Sequence, residues 1–216
     1  MTAAMLGRPV RRGGSGGRTS LAVVPAPDAL ASNRFSAAQN RIITATLPLF
    51  AEHGVSGTSL QMIADALGVT KAAVYHQFNT KDEIVLAVAE VELDRLAAAL
   101  ELAEAEEDQL LGREVLLTQV VDLAVERRHL ASALQGDPVM IRLLASHPPF
   151  QQLIERVYVL LLGQEPSPES RLRAAMVSAA IGGAVANPLV ADLDDETVRS
   201  QLLTLARTLI DLPEPG

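Results

Sequence analysis

Two short apolar repeats separated by a single glycine constrain this chain more than any other feature. They lie between Ser59 and Lys81. Leu60, Ile63, Ala64 and Leu67 recur at helical spacing behind Ser59, a hydroxyl residue suited to cap a first helical turn. Gly68 follows, where the chain must reverse and a side chain is costly at positive φ. Thr70 caps a second helix, in which Val74 and Phe78 face back toward the first. A small residue at 64, a glycine at 68 and a branched apolar residue at 74 form the spacing of a helix-turn-helix. That unit lays its second helix in the DNA major groove.

The flanks extend the pattern. Ser36 and Gln39 predict a capping box that opens a helix. Ile42, Ile43, Ala45, Leu49 and Phe50 continue it, and Gly54 predicts its stop. Pro48 lies inside this helix, where it removes the bond to Thr44 and clashes there at ~3 kcal/mol, so a kink is expected near 44–48. Asn79 ends the second helix of the pair, and Thr80 with Glu83 predicts a second capping box.

Removing the inward residues leaves the outward set. Lys71, Ala72 and Ala73 form the turn that meets base edges, with Thr70 at its cap. A lysine donates to guanine O6 and N7, and an alanine methyl meets a thymine methyl. Tyr75, His76 and Gln77 suit phosphates, and Tyr75 is also placed for partial core packing. Lys81 stands at a helix N-terminus, where free N–H groups already favour a phosphate. Thr58, Ser59 and Gln61 begin the preceding helix, within reach of the opposite backbone.

Charge supports this polarity. Residues 1–34 carry five arginines against Asp28, a net +4, and residues 35–81 carry a net +1. Residues 82–216 hold ten arginines and 23 acidic residues, a net −13. An acidic body repels DNA and leaves one end able to approach it. The only two lysines, Lys71 and Lys81, both fall in the helix-turn-helix stretch. Cysteine is absent, which excludes disulfides and thiolate metal sites. No apolar run reaches the ~20 residues of a membrane helix, and a cytoplasmic protein is expected. His53, His76, His129 and His147 are scattered without metal-ligand spacing. No catalytic constellation, cofactor motif or metal site is expected.

Residues 1–33 are rich in Gly, Ser, Pro, Ala and Arg and read as a disordered basic arm. Pro25, Pro27 and Asp28 interrupt a run that imitates a secretion signal. Gly13 to Thr19 imitates a phosphate loop but has Arg12 and Arg18 where glycine and lysine are required. The arm is either a backbone or minor-groove contact or an inert tail.

Residues 42–83 resemble the DNA-binding domain of TetR-family transcriptional regulators. The resemblance rests on Ile42–Ala45, Leu49–Gly54, Thr58-Ser59, Ile63-Ala64, Gly68-Val69-Thr70, Val74–Phe78 and Thr80–Glu83. Pro48 departs from the pattern, as does Gln77, where the family most often has histidine. The resemblance implies that Lys71 and Ala72 face bases while Tyr75, His76 and Lys81 contact phosphates. It implies an all-α fold: an N-terminal three-helix DNA-binding domain over 34–81 and a larger helical effector-binding and dimerisation domain over 82–216. It also implies a homodimer on a palindromic operator, most simply a repressor released by a small molecule, with an activator or an effector-independent binder as alternatives.

The body reads as helices throughout. Helices are expected over about 82–107, 110–134, 138–145, 149–162, 169–186 and 194–210. The second is apolar on most sides and should be central. Glu114, Thr118, Asp122 and Glu126 form an i, i+4 stripe along it, read either as a solvated face or as the lining of a cavity. Ala175, Ser178, Ala179, Gly182 and Gly183 let another helix approach closely. With Leu202, Leu205 and Leu209 they fit the subunit pairing that the resemblance implies. Phe150 and Tyr158 are the only aromatic residues beyond position 81. The ligand pocket that the resemblance implies is therefore expected to be aliphatic, with an apolar effector and with Arg127, His129, Gln152 and Tyr158 as candidate polar anchors.

Overall fold

The computed structural model describes residues 34–128, 130 and 137–212, and helices are the only regular elements among them. The expected basic arm, residues 1–33, lies outside the described residues. Among the described residues, nine α-helices follow in order. They are α1 (Ala37–Gly57), α2 (Leu60–Leu67), α3 (Lys71–Gln77), α4 (Lys81–Glu104) and α5 (Gln109–Glu126), then α6 (Pro138–Ala145), α7 (Pro148–Leu162), α8 (Pro168–Val185) and α9 (Asp195–Leu209). A short 3-10 turn, Pro188–Val190, joins α8 to α9. No described helix is long and apolar enough to cross a membrane.

Caps set most of the boundaries. The Ser36 hydroxyl accepts from Gln39 N–H at 3.2 Å, and Gln39 Oε1 accepts from Ser36 N–H at 3.0 Å, which is the predicted capping box. Ser59, Thr70 and Thr80 cap α2, α3 and α4 through the N–H groups of Met62, Ala73 and Glu83. Glu83 departs slightly from expectation. Its carboxylate reaches past the cap to accept the Asn79 N–H at 2.8 Å.

The backbone keeps helical φ/ψ through the expected kink site at Thr44–Pro48. The one non-helical residue inside α1 is Gly54, at φ 70°, where the stop was expected. Pro48 and Thr44 both lie on the exposed face of α1. Water can therefore satisfy the Thr44 carbonyl that proline leaves without a partner.

Three apolar clusters hold the chain together. The first joins α1, α2 and α3 to the first half of α4 and includes Phe50, Ile63, Val74, Ile84 and Val88, all fully buried. Each such side chain contributes about 1.5–3 kcal/mol. Leu130 and Met140, from beyond α5, enter the same cluster. The second packs α5 against α8 and α9 through Val121, Val177, Ile181, Leu202 and Ala206. The third packs the far half of α4 on α5 and α7 through Leu100, Leu116 and Val157. Helix α5 faces two of the three clusters, as its all-round apolarity predicted.

The acidic stripe on α5 is neither a solvated face nor the lining of a cavity. It is a seam of ion pairs. Glu114 pairs with Arg207, and Asp122 with Arg199, so α9 runs antiparallel beside α5. Arg128 extends the ladder to Asp195 at 3.2 Å. Glu126 turns the other way and pairs with Arg95 of α4, which is 4% exposed. Glu92 completes this group, 3.6 Å from Arg95 and 3.4 Å from Arg127. The more open pairs, Asp122–Arg199 and Arg128–Asp195, contribute only ~0–1 kcal/mol each, so the seam mainly sets the register between helices that the apolar clusters hold. Burial pushes the Glu92 carboxyl above its ordinary value, against the opposing pull of Arg127 and Arg95.

Two outcomes test this packing. A Cβ at Gly112 would stand 2.7 Å from the Ala103 carbonyl oxygen, where α5 meets the end of α4. Gly112→Ala should therefore lower the unfolding free energy by ~1–3 kcal/mol in urea titrations. The second concerns pH. A raised folded-state pKa means that the native chain holds the Glu92 proton more tightly than the unfolded chain. That contribution is fully present below the ordinary glutamate pKa and is lost as pH rises through the folded value. Glu92→Gln should make the fall in stability between these two values shallower. Asp94, also raised by burial, keeps part of the fall in place.

Candidate nucleic-acid interface

The reading helix is locked from behind and bare in front. Val74 is fully buried and Phe78 is 4% exposed, and both sit in the first cluster. Gly68 takes the left-handed conformation, φ 66° and ψ 31°, and its N–H returns to the carbonyls of Ala64 and Asp65. A side chain there would be strained. At the far end, Gln39 Nε2 donates to the Gln77 carbonyl at 3.3 Å and ties the start of α1 to the end of α3.

This leaves Lys71, Ala72 and Ala73 exposed on the first turn of α3. The Lys71 ammonium lies 5.7 Å from the centre of the Tyr75 ring, within cation–π range. Tyr75 is 44% exposed, so its ring serves the surface more than the core. His76 is exposed, and its Nδ1 stands 3.2 Å from Gln77 Nε2. Ser59 and Thr70 are exposed and accept backbone N–H groups as caps, which leaves each hydroxyl hydrogen available to a phosphate. Gln61 is exposed, and its amide donates to Asp65 at 2.7 Å. Lys81 is half-buried, and its ammonium donates to the Ser56 carbonyl at 3.3 Å. The arrangement presents two cations and several neutral donors on the first turns of three successive helices. It can grip an anionic backbone and insert one small-residue turn into a groove.

Thr58 does not belong to this surface. It is 1% exposed, and its hydroxyl donates toward the carbonyls of Gly54 at 2.8 Å and Leu49 at 3.1 Å. The non-helical Gly54 leaves the end of α1 short of donors, and Thr58 supplies one. Sequence reasoning missed three anchors: Ser56, Asp137 and Arg34. Arg34 pairs with Glu90 at 3.4 Å and Asp94 at 3.3 Å on α4. Local periodicity carries no signal for such long-range partners.

The other candidate residues are dispersed. Ala175, Ser178 and Ala179 are exposed on α8, beside Leu172 at 62% and Met176 at 50% exposure. Gly182 and Gly183 are half-buried, and a Cβ at Gly183 would meet open space. Leu205 is 61% exposed on α9, whereas Leu202 is buried in the subunit's own second cluster and Leu209 packs against it. The candidate effector anchors do not converge. Tyr158 lines a cleft of about 550 Å³ with Leu162, Pro168, Arg171 and Leu172. Gln152 lines another of about 600 Å³ with Glu104, Gln109 and Arg156. Arg127 is engaged by Glu92, and His129 lies outside the described residues. Among the described residues, no group of three His, Asp or Glu side chains could hold a metal ion.

The structural role of Thr58 is testable. Thr58→Val keeps the shape and removes the donor, and should lower the unfolding free energy by ~1–3 kcal/mol. Wild-type stability in that variant would restore Thr58 to the outward set.

Comparison with known proteins agrees with this geometry. Residues 42–88 match the family model for bacterial regulatory proteins of the tetR family. The chain is 26% identical over 112 residues to the HTH-type transcriptional repressor Rv1474c of Mycobacterium tuberculosis, covering 50% of this chain and 57% of that protein. It is 30% identical over 105 residues to the HTH-type transcriptional repressor KstR2 of Rhodococcus jostii, covering 48% of this chain and 51% of that protein. The chain thus spans little more than half the length of these curated relatives. Among solved structures, AibR in complex with isovaleryl coenzyme A and operator DNA superposes with a TM-score of 0.60 at 15% identity, covering 78% of this chain and 97% of that one. That likeness concerns the fold. The matched unit, its relatives and the all-helical architecture together support a TetR-family regulator.

Proposed function

We propose that this chain is a dimeric, ligand-responsive transcriptional repressor that binds a palindromic operator through α2 and α3. The exposed first turn of α3 carries the reading. It presents Lys71, Ala72 and Ala73 on a helix whose back is locked by Val74 and Phe78. Such a turn has one charged reader and two methyl groups. Much of the operator preference then comes from DNA shape and from the spacing of two copies. Ser59, Gln61, Thr70, Tyr75, His76, Gln77 and Lys81 position that turn on the phosphates. The domain division is a DNA-binding unit over 34–81 and an effector-binding and dimerisation unit over 82–216.

Pairing of two copies uses the exposed face of α8 and α9. Small residues there permit close approach, and Leu172, Met176 and Leu205 supply apolar area. Repression is supported by the two repressors among the relatives. Release by a small molecule is supported by the fold neighbour solved with both an acyl-coenzyme A and operator DNA. An apolar effector is supported by the largely aliphatic side chains of the body, in which Phe150 and Tyr158 are the only aromatic residues. The net charge of −13 over 82–216 keeps the body off the DNA.

Reader and anchor separate in one experiment. The probe is a duplex that the wild-type chain selects from a randomised pool, with binding followed by fluorescence anisotropy. Lys71→Ala should weaken the selected duplex by ~1–3 kcal/mol and relax preference at one step in each half-site. Lys81→Ala should weaken all sequences alike and reduce the salt slope by about one per contact. Identical behaviour of the two variants would refute the division, and equal wild-type affinity for selected and random duplexes would refute the regulator.

A further inference from the structure

A polar contact crosses from the body to the DNA-binding unit outside α4. Asp137 stands at the start of α6, 81 positions along the chain from Ser56. Its Oδ2 accepts both the Ser56 backbone N–H and the Ser56 hydroxyl, each at 3.2 Å. Its other oxygen accepts the Met140 N–H at 3.4 Å, and its backbone carbonyl accepts the Ile141 N–H at 3.0 Å. The same carboxylate therefore caps α6 and grips the last turn of α1. On the far side of that turn, the Ser56 carbonyl accepts the Lys81 ammonium at 3.3 Å. Asp137, Ser56 and Lys81 form one relay, from the body to a cation at the candidate DNA surface.

The turn needs such a hold. Gly54 lies at φ 70°, Gly57 follows Ser56, and both Ser56 and Gly57 are exposed. Gly54, two positions before Ser56, and Gly57, just after it, carry no Cβ to restrict the backbone there. Met140, three residues beyond Asp137, is buried in the cluster that holds Phe50 and Ile63. The start of α6 is thus fastened to the DNA-binding unit by packing as well as by hydrogen bonds.

We propose that Asp137 is a positioning residue for DNA binding. It fixes the last turn of α1 and, through the Ser56 carbonyl, the place from which Lys81 reaches a phosphate. This rests on the DNA-binding reading above. It gives the body a second hold on the reading unit, so a displacement of α6 acts on Lys81 without passing along α4.

Asp137→Asn isolates this role from capping. Asparagine caps a helix about as well as aspartate. Its amide nitrogen only donates, so it cannot accept from α6 on one atom and from Ser56 on the other. The full chain is compared as wild type, Asp137→Asn, Lys81→Ala and the double variant, with the selected duplex as probe. Asp137→Asn should melt with the wild type and bind roughly fivefold to tenfold more weakly. In the Lys81→Ala background the same change should cost less than about twofold. Without DNA, amide exchange at Ser56 and Gly57 should rise by about tenfold or more in Asp137→Asn, while the α3 amides keep their protection. Unchanged exchange at Ser56, or an equal loss of affinity in both backgrounds, would overturn the proposal. If the wild-type chain selects no duplex, the DNA-binding reading itself falls.

Discussion

Burial of the first half of α4 in the core of the DNA-binding unit is the constraint on which the rest depends. Ile84, Val85 and Val88 have no exposed surface, and they pack with Phe50, Ile63 and Val74. A three-helix unit of this size has little apolar area of its own to offset the ordering of its backbone. The start of α4 supplies what is missing. The same helix then continues into the body, where Leu100 and Ala103 join the third cluster. One helix is thus shared between two cores, and Lys81 stands at its N-terminal end.

Polar groups refine what apolar burial holds. The pairs Glu114–Arg207 and Asp122–Arg199 fix the register of α9 on α5. Arg95 and Glu92 lie between α4 and α5, in surroundings dry enough to raise the Glu92 pKa. Buried charge of this kind adds little net stability. Its consequence is that α4 slides on α5 only by breaking ion pairs, which favours discrete positions over continuous drift.

The DNA-binding unit was legible because its signals are local. Caps at Ser36, Ser59, Thr70 and Thr80, the glycine at 68 and the apolar periodicity each act within a few residues, and all formed in the structure. Signals that depend on distant partners were not legible. The acidic stripe on α5 looked like surface or cavity until α9 and α4 brought Arg207, Arg199 and Arg95 to it. Thr58 looked outward until the bend at Gly54 turned its hydroxyl onto two carbonyls. Pro48 predicted a kink, but the non-helical backbone inside α1 falls at Gly54, and Thr44 opposite the proline is an exposed residue.

The sequence by itself determined an all-helical chain, the positions of its caps and breaks, and the exposed Lys71-Ala72-Ala73 turn. Those properties follow from backbone donors and side-chain periodicity within one or two turns. Tertiary structure decided which charges pair, which hydroxyl is buried, and that Asp137 meets Ser56. A contact across 81 residues is chosen by the packing of helices that no local pattern specifies.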